Sequence, residues 1–390
     1  MELALKDIRR HLGKFLATIA GVAMLLAIVL VMNGIYQGNI QDGVWLIDNT
    51  ATDLWVVERG RGGPFNEASR IPLDSHKSIA ATPGVARASP LALYTAQREI
   101  NGREQQFTMI GYDIFGGAGG PGRLVQGRTI TAPHYEIVVD RKLGLQLGDR
   151  VPLGSDTYEV VGVTAGAVDS GGNPLLYMAL PDAQRVQFEQ DPRAISAANA
   201  ANLQRLGRAG YSAEQSARLL PLLAGGGSTV NAVLVTLAPG ADGEAVARHI
   251  RDWLYLNVYT TTEERALMLE GKLSRMSAVL GLFRSLLILV SIVIIALIVY
   301  VLTIEKIRSI ATLKLIGAPN GLIVRLIMTQ SMLLTLASFA LAYALRDLIA
   351  PGFPRTLAFL APETAVTFAV MLAGGVLASL MAVWHALRTP

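Results

Sequence analysis

Apolar residues run almost unbroken through four stretches of the chain, at residues 15–37, 281–304, 321–345 and 363–385. Each is long enough to cross a hydrocarbon core of about 30 Å as a helix, which takes about 20 residues. The first stands alone near the start and the other three crowd the end. Between them, residues 38–280 alternate short apolar runs, turns and polar helical tracts, as a soluble domain does. The pattern predicts an α-helical membrane protein with four transmembrane helices plus a large mixed α/β extracytoplasmic domain inserted between helices 1 and 2.

Within the insert, DLWVVE at residues 53–58 suits a strand directly after the first span. Residues 75–81 suit a helix, which Thr82-Pro83-Gly84 breaks. Strands are expected at 92–100, 105–112, 137–139, 150–153, 158–163 and 175–180, with a short helix at 141–145. The polar, Ala- and Gln-rich tract at 181–222 reads as interrupted helix, closed by Gly225 to Gly227. A strand, helix and strand at 232–237, 242–254 and 257–260 have a βαβ-like order that predicts a small ferredoxin-like lobe, giving the insert at least two lobes. Residues 263–279 continue as helix into the second span, and no internal repeat is visible.

Charge orients these pieces. Residues 38–280 hold 25 acidic and 22 basic residues, and the remainder 5 and 12, so the excess of cations flanks the spans. Lys6, Arg9, Arg10 and Lys14 precede the first span, and Lys306, Arg308, Lys314 and Arg325 lie between the second and third. The positive-inside rule puts both groups, and with four spans both termini, in the cytoplasm, with the insert and a short loop at 346–362 outside. Residues 1–14 alternate Leu3, Leu5, Ile8 and Leu12 with cations at helical spacing, which predicts an amphipathic helix along the inner face. The first apolar run is too long for a cleaved signal and reads as a signal-anchor.

Candidate chemistry is sparse. The chain has no cysteine, hence no disulfide and no thiolate zinc site. Gly13-Lys14 and Gly271-Lys272 lack the rest of a phosphate-binding loop, so the chain is not an ATPase of the P-loop kind. Gly117, Gly119 and Gly122 satisfy G-x-G-x-x-G in spacing, but Pro121 and Arg123-Leu124-Val125 offer no helix start for a pyrophosphate. His11, His76, His134, His249 and His385 have no ligand spacing, and Ser170 lies in a glycine-rich turn rather than a nucleophile elbow. Glu263 and Glu264 suit the first turn of a helix. No basic stripe with interleaved aromatics appears, so no nucleic-acid partner is expected. Ionisable residues such as Arg284 and Arg325 sit near span ends, which argues against a charged path through the membrane. Small pairs at Ala17/Gly21, Gly34/Gly38 and Gly375/Ser379 have the spacing of close helix packing, within a chain or across a dimer.

The connection at 305–320 carries apolar residues at Ile307, Ile310, Ala311 and Leu315, cations at Lys306, Arg308 and Lys314, and a Gly317-Ala318-Pro319 stop. It reads either as an interfacial loop anchored by cations or as a short amphipathic helix that presents one face to a soluble partner.

In the order of its pieces the chain resembles the MacB/FtsX-type permeases of type VII ABC transporters. The marks are TPGV at 82–85, IVVDRKLGLQLGDRVPLGSDTYEVVGV at 137–163, YMALPDA at 177–183, VLVTLAPGAD at 233–242 and EKIRSIATLKLIGAPNGLIVRLIMTQS at 305–331. The DLWVVE strand and short length also resemble the DevC-like, haem-exporter branch. The chain stops at Arg388-Thr389-Pro390, short of the family's basic tail.

The resemblance implies a non-catalytic permease in the bacterial inner membrane, paired as homodimer or heterodimer. ATP and Mg would bind a separate ABC ATPase, with no cofactor on this chain. It implies that Glu305, Lys306, Arg308, Ile310, Ala311, Lys314, Gly317 and Ala318 form the coupling helix that docks into that ATPase. Closure of the ATPase would move the external domain by mechanotransmission. The large insert favours an exporter that works with a periplasmic adaptor protein on a lipid, haem, peptide or drug-like substrate. A lipoprotein-extracting permease, which engages membrane lipid, and an FtsX-like regulator of cell-wall hydrolases are the alternatives within the family. A non-transporting membrane sensor is the alternative outside it.

Overall fold

The computed structural model describes residues 12–65, 67–100, 102–188, 200, 203–212, 215–216, 229–305, 307, 311–312, 315–317, 319–350, 353 and 356–388. The chain divides into two compact units, Asp42–Ser274 on the one hand and Met1–Gln41 with Arg275–Pro390 on the other. The expected amphipathic helix at 1–14 lies almost wholly outside the described residues, as does most of the tract at 189–228.

The first helix, α1 (Leu12–Asn49), continues past its expected end at residue 37. Gln37 and Asn39 interrupt the apolar run, yet both are buried, and Leu46 and Ile47 then resume core positions. After it come β1 (Leu54–Val57), β2 (Ile71–Pro72), α2 (Ser75–Ala80), β3 (Val85–Ile100), β4 (Arg103–Tyr112), β5 (Leu124–Gly127), β6 (Glu136–Asp140), β7 (Arg150–Leu153), β8 (Asp156–Thr164) and β9 (Leu175–Ala179). The unit ends with α3 (Leu180–Phe188), β10 (Thr229–Val230), β11 (Ala232–Leu237), α4 (Gly243–Leu254), β12 (Asn257–Thr260) and α5 (Thr261–Glu270). The helix expected at 141–145 is a single 3-10 turn at Arg141–Leu143, closed by Gly144.

Ten of these strands make one sheet in the order β12-β1-β11-β3-β4-β9-β6-β8-β5, with β7 on β8, while β2 and β10 pair separately. β12, β1, β11 and β3 are antiparallel neighbours. Hence β1-α2-β3 and β11-α4-β12 are each a strand, helix and parallel strand with one strand between them, the split βαβ arrangement of a ferredoxin-like lobe. The other expected lobe is not separate from it: β3 and β4 pair from Leu91↔Tyr112 to Ile100↔Arg103 and carry the same sheet onward.

β1 is buried on both faces, which is why LWVV reads as a continuous apolar run. Leu54 and Val56 pack with Ile79 of α2 and with Val246 and Ile250 of α4. Trp55 packs on the opposite face with Ile47 at the end of α1, Met268 of α5 and Leu273. Its ring meets Phe65 edge-on at 5.3 Å, and its indole N–H donates to Thr261 Oγ1 at 3.3 Å.

The second unit is helical: most of α1, then α6 (Lys272–Glu305), α7 (Asn320–Ile349) and α8 (Ala361–Arg388). Gly13–Asn49, Leu273–Glu305 and Gly321–Ile349 are long and apolar enough to cross a membrane, and α8 contains a shorter apolar stretch at Ala361–Leu377. Val22, Leu26 and Leu30 of α1, Ile295 and Val299 of α6, Leu334 and Ala342 of α7 and Met371 of α8 share one core.

The small pairs have distinct fates. Gly21 has open space around it, whereas Gly34 and Gly38 receive the connection before α8. Ala358 N–H donates to the Gly34 carbonyl at 3.1 Å, and a Cβ on Gly38 would run into the Thr356 carbonyl oxygen. Gly38→Ala is therefore expected to displace that connection and to cost about 1–3 kcal/mol, the usual range for overpacking. Thermal unfolding of the detergent-solubilised full chain checks this, with Gly21→Ala as the neutral comparison.

Candidate functional site

Ion pairs define two ends of the helical unit. At one end Lys14 of α1 lies 3.5 Å from Glu305, the last residue of α6. Both side chains are largely exposed, so the pair contributes little stability, but it sets the start of α1 beside the end of α6. At the other end Arg284 of α6 donates to Asn33 Oδ1 at 3.0 Å, lies 3.6 Å from Glu363 of α8 and covers the Tyr36 ring at 5.2 Å. Arg346 of α7 is sandwiched between Tyr343 and Phe359 and pairs with Asp347. These residues hold the ends of α7 and the start of α8 together, which accounts for the two arginines that interrupt apolar sequence.

Of the eight residues expected to couple to an ATPase, Glu305, Ala311 and Gly317 are described; Lys306, Arg308, Ile310, Lys314 and Ala318 lie outside the described residues. Ala311 is helical and exposed. Ile316 N–H donates to the Thr312 carbonyl at 3.2 Å, and Gly317 then adopts φ +91°, a left-handed conformation that ends the helix as the Gly-x-Pro stop predicts. Pro319 follows in extended conformation as the N-cap of α7.

Sequence reasoning placed Leu315 on the apolar face of this segment and passed over Ile316. They are 88% and 80% exposed, the highest values for large apolar side chains among the described residues. Burying such a side chain contributes about 1.5–3 kcal/mol, so this turn offers apolar surface that nothing in the described chain covers.

Elsewhere the expected turns are turns. Asp169 accepts from Gly171 N–H and Asn173 N–H, both at 2.8 Å, and from Thr108 Oγ1 at 2.7 Å, which closes the Asp169-Ser170-Gly171-Gly172 loop. After Gly122 the chain enters β5, not a helix. Among the described residues no group of three or more His, Asp or Glu side chains is placed to hold a metal ion.

Two carboxylates are buried in ways that the sequence pattern does not show. Asp182 is fully buried; its Oδ1 lies 2.7 Å from His134 Nδ1 and its Oδ2 accepts from Tyr135 N–H at 2.9 Å, a pairing across 48 residues that spacing could not reveal. Glu263 does serve the first turn of α5, in a capping box with Thr260. Glu264 beside it is buried, and neither carboxylate oxygen has a hydrogen-bond partner. Burial pushes its carboxyl up to about 8.

A set of long apolar helices and a split-βαβ unit threaded between the first and second of them define a membrane-anchored α/β head. The chain belongs to the family of the MacB-like periplasmic core domain, whose model matches residues 15–253, and is an ABC transporter permease of the MacB/FtsX type. An uncharacterized ABC transporter permease of Mycobacterium tuberculosis is 24% identical over 357 residues, covering 91% of this chain and 87% of that one. Another, of Mycobacterium bovis, is 23% identical over 355 residues, covering 90% and 87%. Among solved structures, the periplasmic region of MacB from Actinobacillus actinomycetemcomitans aligns at 12% identity and a TM-score of 0.35, over 55% of this chain and 92% of that one. The extracellular domain of the noncanonic ABC-type transporter YknZ from Gram-positive bacteria aligns at 12% identity and 0.33, over 54% and 98%.

Proposed function

We propose that this permease crosses the bacterial inner membrane four times with both termini in the cytoplasm, and that its 305–320 segment is the coupling helix for a separate ABC ATPase that binds the ATP and Mg. The pairing of Lys14 with Glu305, two residues that charge distribution assigns to the same side, supports that topology. The observation that carries the docking role is the exposed Leu315-Ile316 turn, flanked by the cations Lys306, Arg308 and Lys314. Apolar anchors ringed by charge suit a protein partner, because the apolar centre supplies affinity and the rim charges supply encounter and register.

In this reading ATP-driven closure of the ATPase pair displaces the segment and the helices pass that displacement to the Asp42–Ser274 head. The substrate is a lipid, haem, peptide or drug-like molecule already outside the membrane, handed on with an adaptor protein. Two permease chains, identical or different, complete the transporter. The size of the head, one ten-stranded sheet, favours an exporter over a regulator of hydrolases.

Co-purification tests the docking step. A P-loop ATPase is expected to accompany the wild-type chain and to be lost when Lys306, Arg308 and Lys314 are all changed to glutamate, with membrane insertion intact. Full assembly and full substrate-stimulated ATPase activity in that variant would remove the segment from the coupling path.

A further inference from the structure

α7 and α8 enclose a groove of about 670 Å³ whose wall includes Gly321, Arg325, Met328, Leu336, Leu372 and Val376. We propose that this groove seats one acyl chain of an anionic phospholipid, with the headgroup resting on Arg325. Four features lead there.

The first is polarity. Four hydroxyls face the groove or its floor, and each already donates to a backbone carbonyl: Thr329 to Arg325 at 2.7 Å, Ser331 to Gly375 at 3.2 Å, Thr335 to Ser331 at 3.0 Å and Ser379 to Val376 at 2.7 Å. With those donors occupied, the groove suits a hydrocarbon rather than a polar solute.

The second is length. Gly321 to Leu336 spans 15 residues of α7, about 22 Å of helix. That matches one leaflet with its headgroup zone, half of a bilayer about 40–45 Å thick.

The third is charge. Arg325 is exposed at the groove's end, and among the described residues it makes no ion pair. In the topology proposed above it lies on the cytoplasmic side, where basic pockets between helices hold anionic headgroups.

The fourth is contrast. A second groove of about 520 Å³ runs between α1 and α7 past Ala20, Met24, Ile28, Ile35, Leu341 and Leu345 and contains no charged side chain. It is a built-in comparison, able to take hydrocarbon without preference for a headgroup.

The full chain, purified in mild detergent with any ATPase that accompanies it, can be titrated with phosphatidylglycerol or phosphatidylcholine and the bound lipid counted by native mass spectrometry. One phosphatidylglycerol per chain is expected to survive at about fivefold or more the occupancy of phosphatidylcholine, the preference that one cation near a headgroup provides. Arg325→Ala should erase the preference and Arg325→Lys should keep it. Leu336→Trp, which fills the groove from an exposed position, should lower retention of both lipids, whereas Ile28→Trp in the uncharged groove should leave the preference unchanged. Equal retention of the two lipids by the wild type, or an unaltered preference in Arg325→Ala, would overturn the proposal. Because Arg325 lies outside the 305–320 segment, either result leaves the docking reading to be judged by its own experiment.

Discussion

Replacing Leu315 and Ile316 by aspartate is expected to weaken association with the ATPase by about a hundredfold or more while the permease folds and inserts normally. Each side chain is almost fully exposed in this chain, so its replacement removes no internal packing. On docking, each would contribute about 1.5–3 kcal/mol of apolar burial, and every 1.4 kcal/mol is a factor of ten in affinity. Two buried aspartates would add a desolvation penalty to that loss. The measurement is binding of the purified ATPase to the permease in detergent, together with ATP hydrolysis in reconstituted vesicles. Unchanged binding would leave the turn as apolar surface dipped into lipid, a role that a shift in its accessibility to aqueous labels would then report. Leucine-for-isoleucine exchange at 316 should cost little, which separates a demand for apolar bulk from one for exact shape.

Glu264 governs the second large effect. Its carboxyl titrates near 8 in the folded head and near 4.5 when unfolded, so the folded state binds the extra proton between those values. Stability therefore favours the low-pH side: it is greatest below about 4.5, declines as pH rises towards 8, and is flat above. At pH 7 the buried, partnerless carboxyl costs about 3 kcal/mol relative to a group that does not titrate. Glu264→Met keeps an unbranched side chain of similar length beside Gly63 and removes the charge. It is expected to raise the melting temperature of the head by roughly 6–12 °C near neutral pH, since about 1 kcal/mol moves a domain of this size by about 2–4 °C. The gain should shrink towards pH 5, where the folded carboxyl is protonated and the pH lies only about half a unit above the unfolded-state value, so little ionisation cost remains. Melting curves of the full chain at several pH values check this; a gain of the same size at pH 5 and 7.5 would show that shape, not ionisation, sets the cost.

Much of the head was legible in the chain because its strands are short apolar runs bounded by Gly, Pro and Asp. DLWVVE, the VLVTL run and the polar helix after Asp242 fall where pattern and capping put them. What pattern could not reach was long-range pairing. That β4 lies parallel to β9, and that β3 carries both parts of the head on one sheet, depends on contacts between distant residues. The continuation of α1 as helix beyond residue 37 was not legible, because Gln37 and Asn39 interrupt the apolar run although both side chains are buried. In the candidate site, the Gly-Pro stop was plain, whereas the exposure of Ile316 and the burial of Glu264 were not. A periodicity argument assigns faces to a helix but cannot say which faces the rest of the molecule leaves uncovered.

β1, which follows α1, and β12, which is joined to α6 through α5, lie side by side at one margin of the sheet. From that margin the backbone hydrogen bonds run unbroken through eight interstrand steps to β5, about 38 Å at about 4.8 Å per step. Under the coupling proposed above, a sheet so joined would serve as a lever arm. Tilting its root by about 10° would sweep the tip through roughly 6–7 Å at that strand spacing, a stroke larger than a water molecule, with no strand having to slip against its neighbour.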